Sequence, residues 1–211
     1  MVGGATIEEC RNNLEAVFQR LSEKGLTLAP DKCVFFKQSV KYLGHILSPN
    51  GIQQDPSKVE SIKSCPVPRT LKDLRAFLGL ASYYRKFTRN FADIVAPLTD
   101  LTRGYAVSKG GKIILGDRWE EKHLRAFQKL KDIICADVTL AFPNFEKPFK
   151  LSTDASNFAI GGVLSLVDDV TGEDRPIAFY SRRLSDAERR YSILDKEEFS
   201  LIYGLSYRVS F

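Results

Sequence analysis

The sequence predicts an α+β chain in which a helical lobe is followed by a small mixed β-sheet with one packing helix. Three observations carry this. Apolar residues recur at helical spacing over 6–25, 55–103 and 119–134; from Phe149 the pattern changes to period two between Gly-rich turns; helical spacing returns after 185. A length of 211 residues with 44% hydrophobic and 27% charged residues suits packed globular structure.

Taken in order, residues 6 to 25 read as a helix opened by a Thr6–Glu9 capping box and stopped by Gly25, with Ile7, Leu14, Val17, Phe18 and Leu21 at helical spacing. "CVFFKQSVKYLGHILS" is rich in β-formers and predicts short strands with a turn at Lys37 to Ser39, and "SPNG" at 48 to 51 predicts another turn. Asp55 followed by Pro56 opens a helix that Pro66 and Pro68 end. Thr70 with Asp73 opens the next, with Leu71, Leu74, Phe77 and Leu78 on one face, and a third runs from Phe91 to Leu101. The Gly-rich "GYAVSKGGKIILGDRW" is the expected hinge. A helix from Trp119 to Ile134 follows, with Leu124, Phe127, Leu130, Ile133 and Ile134 as its stripe. Strands are expected near 149–153, 160–167 and 176–181, then a helix from Ser185 to Tyr207.

The net charge of +5 is unevenly spread: residues 1–110 hold 16 Lys+Arg against 10 Asp+Glu, the remainder 15 against 16. The basic excess therefore belongs to the first half, where "YYRKFTRNF" interleaves aromatics with cations as a phosphate-contacting surface requires. A solvated amphipathic helix has the same composition. Lys72, Arg75, Arg85, Lys86 and Arg89 are the expected nucleic-acid contacts, near Tyr83 and Tyr84. No run approaches the roughly 20 apolar residues of a membrane span, and no secretory signal opens the chain, so an intracellular protein, cytoplasmic or nuclear and without a membrane partner, is expected. Four widely spaced cysteines argue for reduced thiols rather than a zinc site.

Aspartate is a poor strand residue, so Asp154, within "KPFKLSTDASNFAIGGVLS", is either a turn-capping residue or a metal ligand. The neighbouring sequence bears on this choice. "STDASNFAIGGVLS", "PIAFYSRRLSDAERRYS" and "DKEEFSLIYGL" resemble the RNase H region of gypsy-type LTR-retrotransposon polyproteins, in unbroken order. Upstream, "KGLTLAPDKCVFFKQSVKYLGHILSPNGI", "DPSKVESIKSCPVPRTLKDLRAFLGLASYYRKF" and "FADIVAPLTDL" resemble the palm end and thumb of the same reverse transcriptases.

The resemblance implies a thumb-like lobe before a truncated RNase H-like sheet: 1–54 the end of the palm, 55–104 the thumb, 105–145 a connection, and 146–211 the N-terminal part of RNase H. It also implies Mg²⁺ as cofactor, RNA/DNA hybrid or duplex as partner, and Asp154 with Glu197 as catalytic metal ligands. Helical periodicity by itself does not separate Glu197 from Glu198; the motif register selects Glu197. The family pattern continues to a further strand with a TDH-type aspartate, and its polymerase Tyr-x-Asp-Asp hairpin precedes the region of Thr6. Neither occurs between Met1 and Phe211, so the expectation is a catalytically incomplete, nucleic-acid-binding remnant, completed by other polyprotein segments or a second chain, with its sheet the least protected part. Two alternatives stay open: a domesticated interaction or nucleic-acid-binding protein without catalysis, and an unselected pseudogene product.

Overall fold

The computed structural model describes residues 2–4, 6–103 and 113–207 and divides into two compact units, Met1–Val40 and Lys41–Phe211. In the first, α1 (Ile7–Glu23) is capped by the Thr6 hydroxyl, which accepts from the Glu9 N–H at 3.1 Å. Gly25, at φ 66°, ends it, with the Leu26 N–H donating back to the Leu21 carbonyl at 2.9 Å. The strand expected at Cys33 to Phe36 does not form. A 3₁₀ turn (Pro30–Lys32) precedes it, and Phe36 sits at φ 52°, which no strand tolerates.

The first sheet orders β1 (Val40–Tyr42), β2 (His45–Ser48) and β3 (Gly51–Gln54) in sequence. Leu43 and Gly44 both have positive φ, as a two-residue hairpin turn of the primed type requires, and Ser48 pairs with Gly51 around the Pro49–Asn50 turn. Next comes α2 (Pro56–Lys63), whose Asp55 cap accepts from the Ser57 N–H at 3.0 Å. α3 (Leu71–Tyr83) opens on the complete Thr70–Asp73 capping box. α4 (Phe91–Leu101) and α5 (Glu121–Ile134) complete the lobe. Ile62, Leu74, Phe77, Tyr84, Leu98, Phe127, Leu130 and Ile134 are the centre of its core. On α5, Leu124 turns outward, and His123 and Ala126 are buried in its place because the His123 ring caps the helix, Nδ1 accepting from the Glu120 N–H at 2.9 Å.

Of the expected hinge, residues 104–112 lie outside the described residues. Its described end is anchored rather than hinged: the Leu71 N–H donates to the Ile113 carbonyl, the Leu115 N–H donates to the Arg69 carbonyl, and Leu115 is buried.

The second sheet orders β4 (Phe149–Ala155), β5 (Ala159–Val167) and β6 (Asp174–Arg183), all antiparallel, as two successive hairpins must be. No parallel strand joins it among the described residues, so the mixed character expected from sequence is not seen there. α6 spans Ile193–Ser206, not Ser185 onward: residues 188–190 form a separate 3₁₀ turn, and Ser192 caps α6 through a Ser192–Asp195 box. No described helix is long and apolar enough to cross a membrane.

Candidate metal and nucleic-acid site

Asp154 lies one residue from the end of β4, paired across the sheet with Gly161, and is exposed. α6 seats on the same end of the sheet through one small polar residue. The Ser200 hydroxyl is buried and lies 3.2 Å from the Asp154 carbonyl and 3.1 Å from the Gly161 carbonyl, sharing its proton between the two strands. Tyr180 of β6 then donates to the Ser200 carbonyl at 3.0 Å, and its ring occupies space left by Gly162 and Gly204. Glu197 is one turn before Ser200 on this helix and half-buried, whereas Glu198 is exposed.

This seating reverses the face that periodicity indicates for α6. Ile193, Leu194 and Leu201 are exposed, with Ile202 and Leu205, while Lys196, Ser200 and Gly204 face inward. The physical reason is proximity: strand carbonyls and the Tyr180 hydroxyl need a hydroxyl and a missing Cβ opposite them, which no branched aliphatic side chain provides. Lys196, also buried, extends to Asn157, donating to its Oδ1 at 3.2 Å.

Strand alternation turns Leu151 toward Gly204 of α6 and Asp154 toward α4, where the Asn90 amide approaches the Asp154 carboxylate at 3.5 Å. Asp154 and Glu197 come from separate elements joined at one sheet end through Ser200, but the Asp154 side chain leaves the sheet on the α4 face while α6 packs on the other. Among the described residues no group of three or more His, Cys, Asp or Glu gathers as a metal site. Asp168 and Asp169 lie beyond the opposite end of β5; Asp168 accepts from the Val170 and Thr171 N–H groups of its own turn, and Asp169 pairs with Lys147.

The expected cationic contacts are placed unequally. Lys72 and Arg75 share the exposed face of α3, and Arg85 and Arg89 are exposed beyond it. Lys86 is half-buried, its ammonium 5.7 Å from the Phe87 ring, and burial pulls its pKa below the usual lysine range. Tyr84 is fully buried and donates to the Gly44 carbonyl at 3.0 Å. Tyr83 is half-exposed but occupied: it stacks on His45 with ring centroids 5.2 Å apart and donates to the Leu43 carbonyl. Its ring is therefore a brace for the β1–β2 turn, and only its outer face is presented to solvent.

Residues 119–209 match the family described as the RNase H-like domain found in reverse transcriptase. The retrovirus-related Pol polyprotein from transposon opus of Drosophila melanogaster is 44% identical over 197 residues, 92% of this chain and 19% of that polyprotein. That from transposon 297 of the same organism is 41% identical over 204 residues, 97% of this chain and 18% of the polyprotein. Over more than nine-tenths of its length the chain is similar to the reverse transcriptase–RNase H part of gypsy-type retrotransposon polyproteins, and it spans about a fifth of theirs. The gypsy polyprotein itself is 39% identical over 196 residues, and this chain spans 18% of its length.

The family's fold extends to solved structures. A foamy viral protease-reverse transcriptase in complex with RNA/DNA hybrid superposes with a TM-score of 0.81 at 25% identity, over 97% of this chain and 26% of that one. The same viral protein in complex with dsDNA gives a TM-score of 0.78 over 97% of this chain and 41% of that one. Sequence reading missed Ser200, Asn90, Lys196 and Asn157. Only Ser200 had a signal: a small polar residue three positions after the motif acid.

Proposed function

We propose that this chain is a segment of a retrotransposon reverse transcriptase–RNase H, whose parent reactions are RNA-directed DNA synthesis and cleavage of RNA in RNA/DNA hybrids. In this reading 1–54 is the end of the palm, 55–104 the thumb, 105–145 the connection and 146–211 the N-terminal part of RNase H. Lys72, Arg75, Arg85 and Arg89 track the phosphate backbone of a hybrid or duplex, with a smaller part for the half-buried Lys86. Asp154 and Glu197 hold Mg²⁺.

The observation that carries the reading is the Ser200 hydroxyl bond to the Asp154 and Gly161 carbonyls, which seats the helix bearing Glu197 on the strand bearing Asp154. Two carboxylates from separate elements suit a hard cation, and to share one Glu197 must reach around the sheet end to the α4 face where the Asp154 carboxylate lies; with no third acid grouped there among the described residues, the reading is for one ion completed by water rather than two. When bound, such an ion polarises a phosphoryl oxygen and makes its water more acidic. The protein's own part is to hold the strand end and the helix in fixed register and to bring the duplex to them.

The test is Mn²⁺ binding by electron paramagnetic resonance, with Mn²⁺ as the probe. Asp154→Asn and Glu197→Gln should each weaken binding at least about tenfold while Glu198→Gln leaves it unchanged. Equal affinity in Asp154→Asn and the unsubstituted chain would remove the metal assignment. A reading as a binding module without metal chemistry would then stand on the exposed cations alone.

A further inference from the structure

We propose that Asn90 is a positioning residue for Asp154, a role that rests on the metal reading above and ties the helical lobe to the acid. Asn90 stands immediately before α4, where an asparagine ordinarily turns its side chain back to accept from the helix's first free N–H groups. It does not do so here. The Ala92 N–H is satisfied instead by the Ser181 hydroxyl of β6 at 2.9 Å, which releases the Asn90 amide for another partner.

That amide crosses the sheet. Its Nδ2 lies 3.5 Å from Asp154 Oδ2, and its Oδ1 would stand 3.0 Å from a Cβ placed on Gly161, the residue paired with Asp154. The orientation follows from charge, since the amide oxygen turned toward the carboxylate would repel it. A bond of this length is at the long end of the range, as functional hydrogen bonds often are before a ligand tightens the site.

Three further features fit this arrangement. The Asn90 backbone is left-handed, at φ 54° and ψ 34°, a conformation that disfavours most side chains but that asparagine enters more readily. At position 161 a Cβ would stand 3.0 Å from the amide oxygen, so any side chain there would press the amide back, and glycine leaves it in place. Three residues along, in the first turn of α4, the Asp93 carboxylate accepts from the Ser156 hydroxyl at 3.1 Å, fixing the turn that follows Asp154. The amide thus donates to one carboxylate oxygen and limits its rotation, leaving the other oxygen for the cation.

Three variants of the full chain test this. Asn90→Gly keeps the left-handed backbone and removes the amide; it should hold or raise the unfolding midpoint while weakening Mn²⁺ binding about tenfold. Gly161→Ala should displace the amide and produce the same loss from the opposite side. In ¹⁵N–¹H spectra the Asn90 side-chain NH₂ signal should move on Asp154→Asn in the otherwise unsubstituted chain, and that response should vanish in Gly161→Ala. Unchanged Mn²⁺ affinity in Asn90→Gly, or an NH₂ signal indifferent to Asp154→Asn, would overturn the proposal. If the unsubstituted chain binds no Mn²⁺, the metal reading fails by itself, and the NH₂ signal still decides whether Asn90 holds Asp154.

Discussion

Gly204→Ala sets two effects of opposite sign against each other on α6. In the interior of an exposed helix the change would stabilise by about 1 kcal/mol through helix propensity. Here the added Cβ would lie 2.5 Å from the Tyr180 hydroxyl oxygen, 2.9 Å from its Cζ and 3.1 Å from Leu151 Cδ2. Tyr180 cannot give way freely, because Gly162 beside it is equally tight and its hydroxyl is bonded to the Ser200 carbonyl. Overpacking costs about 1–3 kcal/mol, and displacing a buried hydroxyl from its acceptor about 1–3 kcal/mol more. The clash should win, leaving the chain less stable by about 1–5 kcal/mol after the propensity gain is subtracted. Urea unfolding measures this directly, and the double variant with Tyr180→Phe should recover part of the loss, since it removes the atom nearest the new Cβ. A gain of about 1 kcal/mol in Gly204→Ala would show propensity acting alone and would refute the seating of α6 on Tyr180.

Alanine replacement of Lys72, Arg75, Arg85 or Arg89 should weaken binding to an RNA/DNA hybrid and lower the slope of log affinity against log salt by about one for each phosphate-neutralising cation removed; an unchanged slope in the fourfold variant would place the duplex elsewhere. Lys86→Ala should change that slope least, because its ammonium is half-buried against Phe87. His45 provides a pH dependence: burial, with Lys86 nearby, holds its pKa down to about 4, and its buried Nδ1 has no hydrogen-bond partner among the described residues. The unfolded imidazole titrates near 6.5, so between that pH and about 4 the unfolded state binds the extra proton. Stability should therefore be intact above pH 6.5 and decline toward pH 4, with His45→Phe removing that part of the slope seen in denaturant titrations. An identical pH profile in the variant would show that His45 protonates without penalty.

Much of the helical lobe was legible because its signals are local. Asp55–Pro56, Thr70–Asp73 and Gly25 each close or open a helix through hydrogen bonds within a few residues, and α4 lies where its apolar spacing put it. The β4–β5–β6 hairpins were legible for the same reason. What failed was decided by contacts distant in sequence. The exposed apolar face of α6 outweighs Ser200 and Gly204 in any count of periodicity, yet the close approach of Tyr180 determines which face turns inward. The strand at Cys33 gave way to the backbone at Phe36, whose left-handed φ no propensity scale foresees. Asp154 and Glu197 were singled out through their motifs, whereas Asn90, 64 positions before Asp154, carried no pattern of its own.

A three-stranded sheet with one helix is marginal alone, and here it does not stand alone. Its second face is used by α4: Arg183 of β6 forms a bidentate pair with Asp100 at 2.6 and 3.0 Å, Ser181 caps the helix at Ala92, and Ser156 holds Asp93. The pull of Arg183 keeps the Asp100 carboxyl below the usual range, so this pair stays charged through neutral pH. Phe179 of β6 packs into the core of the helical lobe, and Ile52 bridges to Leu140 ahead of β4. The lobe and the sheet are accordingly parts of one compact unit, Lys41–Phe211, although their sequence textures differ. That has a functional consequence. The exposed cations of 72–89 and the carboxylate of Asp154 are joined through a short path, from the 3₁₀ turn at Arg85–Phe87 to Asn90 and the first turn of α4. On the proposed function, a duplex gripped at these cations would be brought to Asp154 by the packing of β6 against α4 that the described residues show.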